Sequence, residues 1–296
     1  MIIVLTIAVF LLSVSKPGEN VIGCLQECAH APDPDEAVLK VVSLNMLHGH
    51  PDFEYLNHRM ERIAAAIMEE GADLVLLQEV PWTNEVGYAA EYLANETGMN
   101  YAYMRANGNR QLIRFEEGEA ILSRYPIQNV EFSVLGPQAG IFENRVVLHA
   151  RIDAPGGSLD VFVTHLTHGD AQVNAEQTSE LYQFVEAHRD GMAIIAGDFN
   201  AQDNEAQIMA LEGVWLDVHR KVNPFVIAPT CCVSDLTAGP GEPLEVRIDY
   251  IFVVPEDNQP YELIGAERVL DEPFQMDGGW LWASDHVGLL AEFKHR

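Results

Sequence analysis

Apolar and polar positions divide this chain into short runs closed by turn residues. Ala193-Ile194-Ile195-Ala196 is such a run, followed by Gly197, Asp198, Phe199 and Asn200. Four small or apolar residues in a row read as a short buried strand. Gly197 relaxes the backbone where it ends. Residues two apart on a strand share a side, so Asp198 and Asn200 should present a carboxylate and an amide to one point. Comparable runs predict strands over 39–44, 73–77, 101–104, 119–123, 130–134, 145–152, 159–164, 247–253, 262–269 and 287–293. Turn signals at Gly108, Pro126, Gly136 and Gly156-Gly157 separate several of them. Leu56, Met60, Ile63, Ala64 and Ile67 recur at helical spacing and predict a helix over 57–70, closed by Gly71. Further helices are expected over 85–96, 171–188 and 205–211. The helix over 171–188 turns Val173, Leu181, Phe184 and Val185 inward. Hairpin-like pairs mixed with strand–helix–strand units imply mixed sheets. About a dozen strands are too many for one ordinary open sheet. The expected class is therefore α/β, with two stacked sheets and helices outside.

Composition allows one large domain with a real core: 296 residues, 48% of them apolar. We place that domain at 39–296. The formal charge of -28, from 45 acidic and 17 basic residues, gives no long-range help in approaching DNA, RNA or anionic lipid. No Lys/Arg run, low-complexity tract or internal repeat interrupts this picture. Residues 2–14 form a continuous apolar run, short for a membrane span and suited to a signal-peptide core. Ser13 and Ser15 suit a cut after Ser15. Val21-Ile22-Gly23-Cys24 resembles a bacterial lipobox, although the polar residues 16–20 separate it from the apolar core and no Lys or Arg precedes that core. The expectation is an export segment over 1–23, giving a secreted, periplasmic or lipid-anchored protein. A linker with Pro32 and Pro34 would follow over 24–38. Four cysteines fit that route as disulfides, with the pairing not readable from sequence. Cys24 and Cys28 could close a small loop, or one could reach Cys231 or Cys232. Zinc is the rival, but finger-like spacing is lacking.

Seven polar clusters punctuate the apolar runs: Ser43-Leu44-Asn45, Leu77-Gln78-Glu79, Gly118 to Ser123, Val163-Thr164-His165, Gly197 to Asn200, Asp249 in Arg247-Ile248-Asp249-Tyr250, and Ser284-Asp285-His286. Each alone is unspecific. In this order, over residues 41–293, the chain resembles the endonuclease/exonuclease/phosphatase superfamily, which includes DNase I, abasic-site endonucleases, inositol polyphosphate 5-phosphatases and neutral sphingomyelinases. The resemblance implies a four-layer α/β sandwich of DNase I type, with the site where these strand ends converge.

The residues suit that chemistry. Hydrolysis of a phosphodiester needs a cation on a phosphate oxygen, an activated water, donors for the developing charge and help for the leaving oxygen. Glu79 is the leading metal ligand, with Asn45 beside it and Asp285 close by. Oxygen ligands favour Mg²⁺ or Mn²⁺ over zinc. By resemblance, His286 is the general base or a phosphate-oriented imidazolium held by Asp249, and His165 is a second imidazole partnered by Glu119. Asp198 orients the water or protonates the leaving group, and Asn200 donates to phosphate. Arg145 divides evenly between a phosphate contact and a structural salt bridge. His48, His50, His58, His168 and His188 read as surface residues. The expected function is a metal-dependent phosphodiesterase on a small or lipid-borne phosphodiester. Phe274, Met276, Trp280 and Trp282, before the last motif, could touch a membrane surface or stack a base. A secreted nuclease is the alternative, opposed by the charge, and a non-catalytic binding protein is a weaker one.

Overall fold

The computed structural model describes residues 15–30, 37–140, 143–257, 259–276 and 278–296. The apolar run 2–14 and the prolines Pro32 and Pro34 lie outside the described residues. In chain order the first elements are β1 (Ile22–Cys24), β2 (Val38–Asn45), α1 (Leu56–Glu70), β3 (Leu74–Thr83), β4 (Gly87–Tyr88) and α2 (Ala89–Thr97). Then come β5 (Asn100–Asn109), β6 (Phe115–Ser123), β7 (Ile127–Gly140), β8 (Glu143–Ala154), β9 (Gly157–His165), α3 (Ala171–His188) and β10 (Ala193–Asp198). The chain continues through α4 (Ala206–Glu212), β11 (Leu216–Asp217), α5 (Val218–Val222), β12 (Asp249–Val254) and β13 (Tyr261–Val269). It closes with β14 (Phe274–Met276), β15 (Gly279–Leu281) and β16 (Gly288–His295).

Two mixed sheets result. One runs β1-β5-β6-β3-β2-β16-β13 with β4 on β3, and the other runs β11-β12-β10-β9-β8-β7. The alternation of side chains decides the layering. Leu39 and Val41 of β2, Leu74 and Leu76 of β3, Ile194 and Ala196 of β10, and Ile251 and Val253 of β12 meet in one core between the sheets. The intervening Val42, Leu44, Val75 and Leu77 pack instead against Met60, Ile63 and Ile67 of α1 and Leu93 of α2. Ala193, Ile195, Tyr250 and Phe252 pack against Leu181 and Val185 of α3 and Leu211 of α4. Both faces of these strands are buried, which is why they read as continuous apolar runs. The four-layer sandwich expected from sequence is the fold observed.

Several boundaries differ, for physical reasons. β3 does not end at residue 77. It passes through a bulge between Leu77 and Val80 and continues to Thr83. The second helix begins at Ala89, because Gly87 and Tyr88 fold back to pair with Thr83 and Trp82. Part of the stretch read as export segment and linker joins the first sheet: Ile22–Cys24 pair with Tyr101–Tyr103 on its edge. The short pieces β4, β11, α5 and the β14–β15 hairpin were too brief for periodicity to reveal. The disulfides are both local, Cys24–Cys28 and the adjacent pair Cys231–Cys232, which removes the zinc alternative.

Gly197 is required by contact. A Cβ there would collide with the carbonyl oxygen of Thr164 on the neighbouring strand. Gly197→Ala should therefore destabilise the fold by about 1–3 kcal/mol, as overpacking does. Gly279, with open space around it, supplies the control: Gly279→Ala should be close to neutral. Urea denaturation of the two variants checks this, and an unchanged midpoint for Gly197→Ala would refute the tight contact.

Candidate active site

The rows that fill the space between the sheets continue, at one end, into polar residues. Val41 leads by twos to Ser43 and Asn45, Ile194 and Ala196 to Asp198, Val161 and Val163 to His165, Ile121 to Glu119 and Glu117, and Ile251 back to Asp249. In the second sheet Asp198 pairs with His165 on one side and Asp249 on the other. Strand pairing alone thus sets a carboxylate between an imidazole and a second carboxylate.

Asp198 is 1% exposed and is the centre of the hydrogen bonding. Its Oδ2 accepts from Asn45 Nδ2 at 3.1 Å and lies 3.4 Å from His165 Nε2 and 3.8 Å from His286 Nε2. Its Oδ1 accepts from the Asn200 backbone N–H at 2.8 Å. Burial, and then repulsion from Asp249, push its carboxyl up to about 7, against the pull of His286 and these donors.

The two imidazoles are driven apart. Burial alone would lower His286, but Asp249 Oδ2, 2.9 Å from its Nδ1, with Asp198 and Asp285, holds the ring well above its usual value. His165 goes the other way: burial first, and then the charges of Arg145 and His286, depress it well below. Asn200 Nδ2 donates to Leu166 O at 3.0 Å and lies 2.9 Å from His165 Nε2. His165 Nε2 is therefore an acceptor, and its proton sits on Nδ1. That Nδ1 has no partner, and neither has the buried Glu119 Oε2. The expected His165–Glu119 hydrogen bond is not made. Glu119 is fully enclosed, and burial with the charges of Glu117, Glu79 and Asp198 keeps its carboxyl well above the ordinary range. His165 is positioned by Asn200 instead.

Glu79 reaches the site through the β3 bulge, where its φ of 53° is left-handed. A bulge re-aims a side chain that simple alternation would send to the other face. Glu79 Oε1 accepts from Asn45 Nδ2 at 3.2 Å and Oε2 from the His48 backbone N–H at 3.1 Å. His48 Nε2 lies 3.5 Å from the same oxygen. Burial raises the Glu79 carboxyl, but His48, Asn45 and His286 outweigh it and hold the group low. His48 and His168 are thus not idle surface residues: His168 Nδ1 meets Asn200 Oδ1 at 3.1 Å. His50, His58 and His188 have no contact to the central carboxylates among the described residues.

Two supports went unread in the sequence. Arg59 lies on the apolar stripe of α1, fully buried, and donates to the carbonyls of Met46, Leu47, Glu54 and Ala283. It fastens the loop after Asn45 to the loop before Ser284, and an arginine within a hydrophobic stripe was the available signal. Thr230 accepts the N–H groups of Ile248 and Asp249 on its hydroxyl and that of Val287 on its carbonyl. Val233 N–H donates to Asp285 O. Residues 230–233, including the Cys231–Cys232 disulfide, thus strap Asp249 to His286.

These groups line a cavity of about 550 Å³ with Arg145, His165, His168, Asn200, Cys232 and Asp285 on its walls. A smaller one of about 280 Å³, sharing Glu79, Arg145 and His165, adds His48, Phe115 and Glu117. Arg145 makes the salt bridge, through Nε and Nη2 to Glu143 Oε1, and also lines the cavity.

The model of the endonuclease/exonuclease/phosphatase family matches residues 42–286. The chain belongs to this family. Among curated proteins no match was found. Solved structures show the same fold. A family protein from Beutenbergia cavernae is 24% identical with a TM-score of 0.66, covering 88% of this chain and 72% of that one. A family protein from Bacteroides thetaiotaomicron is 18% identical with a TM-score of 0.69, covering 90% and 100%. A mannosyl-6-phosphatase from the same organism is 20% identical with a TM-score of 0.67, covering 86% and 99%.

Membership implies hydrolysis of phosphoester bonds and a divalent cation, so the donors must fit one. Asp198, Asp249 and His286 bring one ligand atom each within 4.8 Å of one another. Asp249 Oδ2 and His286 Nδ1, however, already share a hydrogen bond. Glu79 and Asp285 fit better: both open on the cavity, and Glu79 helps burial to raise the Asp285 carboxyl. Two carboxylates on the wall of one cavity, beside the Asn45 amide, make an oxygen set that fits a hard divalent ion.

The His286–Asp249 pair predicts a pH signature in stability. His286 is raised on folding, so its contribution is complete below the unfolded value near 6.5 and is lost as pH rises through the folded value. Wild type should exceed His286→Gln in stability most at pH 6, with the gap narrowing above neutrality. Urea titrations at pH 6, 8 and 10 measure it, and a gap that widened with pH would contradict the pairing.

Proposed function

We propose that the protein is a metal-dependent phosphodiesterase acting on a small or lipid-borne phosphodiester. The observation that carries this reading is the pair of imidazoles held in opposite protonation states on either side of Asp198. Titratable groups whose environments push them apart divide into acid and base. His286 carries a proton at neutral pH and is the group able to donate to a phosphoryl oxygen and then to the leaving oxygen. Asp198, in its ionised fraction, accepts the proton of the attacking water as the new P–O bond forms and the bond to the leaving group breaks. His165, neutral and held by the Asn200 amide, lines the cavity on the other side of Asp198. A bound divalent ion, held by Glu79 and Asp285 with Asn45 beside them, would neutralise phosphate charge. The cavity is the size of a headgroup or nucleotide rather than of a duplex. The net charge of -28 disfavours polyanions.

Chelation should abolish hydrolysis, and Glu79→Gln should lose its metal response while staying folded. The informative panel holds bis-p-nitrophenyl phosphate, p-nitrophenyl phosphate, sphingomyelin, plasmid DNA and inositol phosphates. Full activity in EDTA, or preference for plasmid DNA over both small and lipid diesters, would overturn the proposal.

The acid role has its own test. Without Asp249, the two largest contributions that raise the His286 ring are lost against an unchanged burial cost, and its pKa falls. Asp249→Asn should move the alkaline limb of the kcat profile to lower pH and cost ~10²–10⁴ in rate at pH 8. A limb that stayed in place would assign the acid elsewhere.

A further inference from the structure

The aromatic stretch before the last motif is the less exposed of two candidate membrane contacts. Trp282 is buried, and Phe274, Met276 and Trp280 are half-buried. A different segment is anomalous. Phe225, Val226 and Ile227 follow one another on the chain and are 98%, 61% and 87% exposed. The segment is held in shape. Val226 N–H donates to Asn223 O, closing a turn, and Asn223 is tied to Ala266 O of β13 through its side chain. On the other side Arg268 donates to Pro229 O, and Ala228 is 2% exposed.

We propose that this turn seats the protein on a zwitterionic lipid surface. The proposal deepens the lipid-borne reading of the substrate and rests on it. Four observations choose this occupant. The turn is convex, so a lipid interior accepts it without a matching pocket. Its exposed area is small: an aromatic side chain supplies roughly 150–250 Å² and the two aliphatic ones less, short of the ~800 Å² per partner of a stable protein interface. No Asp or Glu occurs from Val218 to Ser234, in a chain with 45 of them, and Lys221 lies just before the turn, while Arg220 is ion-paired with Asp203 and Glu212. A lysine there suits the phosphates of a neutral headgroup layer, whereas the overall charge of -28 opposes an anionic one. Finally, Phe225 is six residues from Cys231, which lines the catalytic cavity, so the two are at most ~20 Å apart. A tip inserted among lipids brings that cavity to headgroup depth. Among the described residues no helix is long and apolar enough to cross a membrane, and the attachment proposed is peripheral.

The test is sedimentation with phosphatidylcholine vesicles, with hydrolysis of water-soluble bis-p-nitrophenyl phosphate measured in parallel. Wild type should partition onto the vesicles, retain binding in high salt and lose it as phosphatidylserine is added. Phe225→Ser and Ile227→Ser should each lower partitioning about tenfold or more, and leave hydrolysis of the soluble diester unchanged. No partitioning of wild type, or equal partitioning of the double variant, overturns the inference. So does a concentration-dependent dimer, seen by light scattering, that the double variant abolishes. Loss of soluble-diester hydrolysis in wild type would instead strike at the catalytic reading, so the two failures are separable.

Discussion

Asp198 carries a carboxylate where almost no water reaches, between two packed sheets. Burying such a charge alone costs several kcal/mol, and the surroundings answer it in parts drawn from the whole chain. Asn45 comes from the first sheet, His165 and Asn200 from the second, and His286 from the turn before β16. Apart from Asn200, two residues on from Asp198, these partners are distant in sequence; Asn45 and Asp198 are 153 residues apart. The site therefore exists only once the two sheets have docked, and the apolar rows that drive docking are the same rows that end in the polar groups.

That arrangement also explains how similar side chains acquire different chemistry. His165 and His286 are both buried beside Asp198, yet one is flanked by cations and an amide and the other by Asp249. The low dielectric between the sheets magnifies each difference. It is also why the strap through Thr230 matters: it fixes the backbone of Asp249 and reaches the strand that follows His286. A small slip there would loosen the contact that keeps His286 charged.

Much of this could be read from the residues. The apolar runs showed the two-sheet fold, because strands buried on both faces leave long hydrophobic signatures. The strand-end motifs named Asn45, Glu79, His165, Asp198, Asn200, Asp249, Asp285 and His286, all of which line or brace one cavity. The alternation that places Asp198 correctly fails at Glu79, whose direction is set by a bulge and a left-handed backbone. It fails too for His48 and His168, which lie in loops and carry no periodicity. Glu119 sits on the right row but is too enclosed by other acids to brace His165 as resemblance implied. Arg59, Thr230 and the Cys231–Cys232 pair act through backbone carbonyls and amides, which a side-chain pattern does not reveal.

The balance of charge narrows what can enter. An acidic chain repels an anion at long range, so any attraction must be local. Local cations are present, but most are already answered: Arg145 is bonded to Glu143, His286 to Asp249, and Arg59 is spent on four carbonyls. Two cavity-facing carboxylates, Glu79 and Asp285, add to the deficit until a cation joins them. A polymer would bring further phosphates against an acidic surface with nothing to receive them, whereas a single phosphodiester joined to neutral groups would not. The preference for one isolated phosphate proposed above would follow from how few uncommitted cations the described residues leave around the cavity.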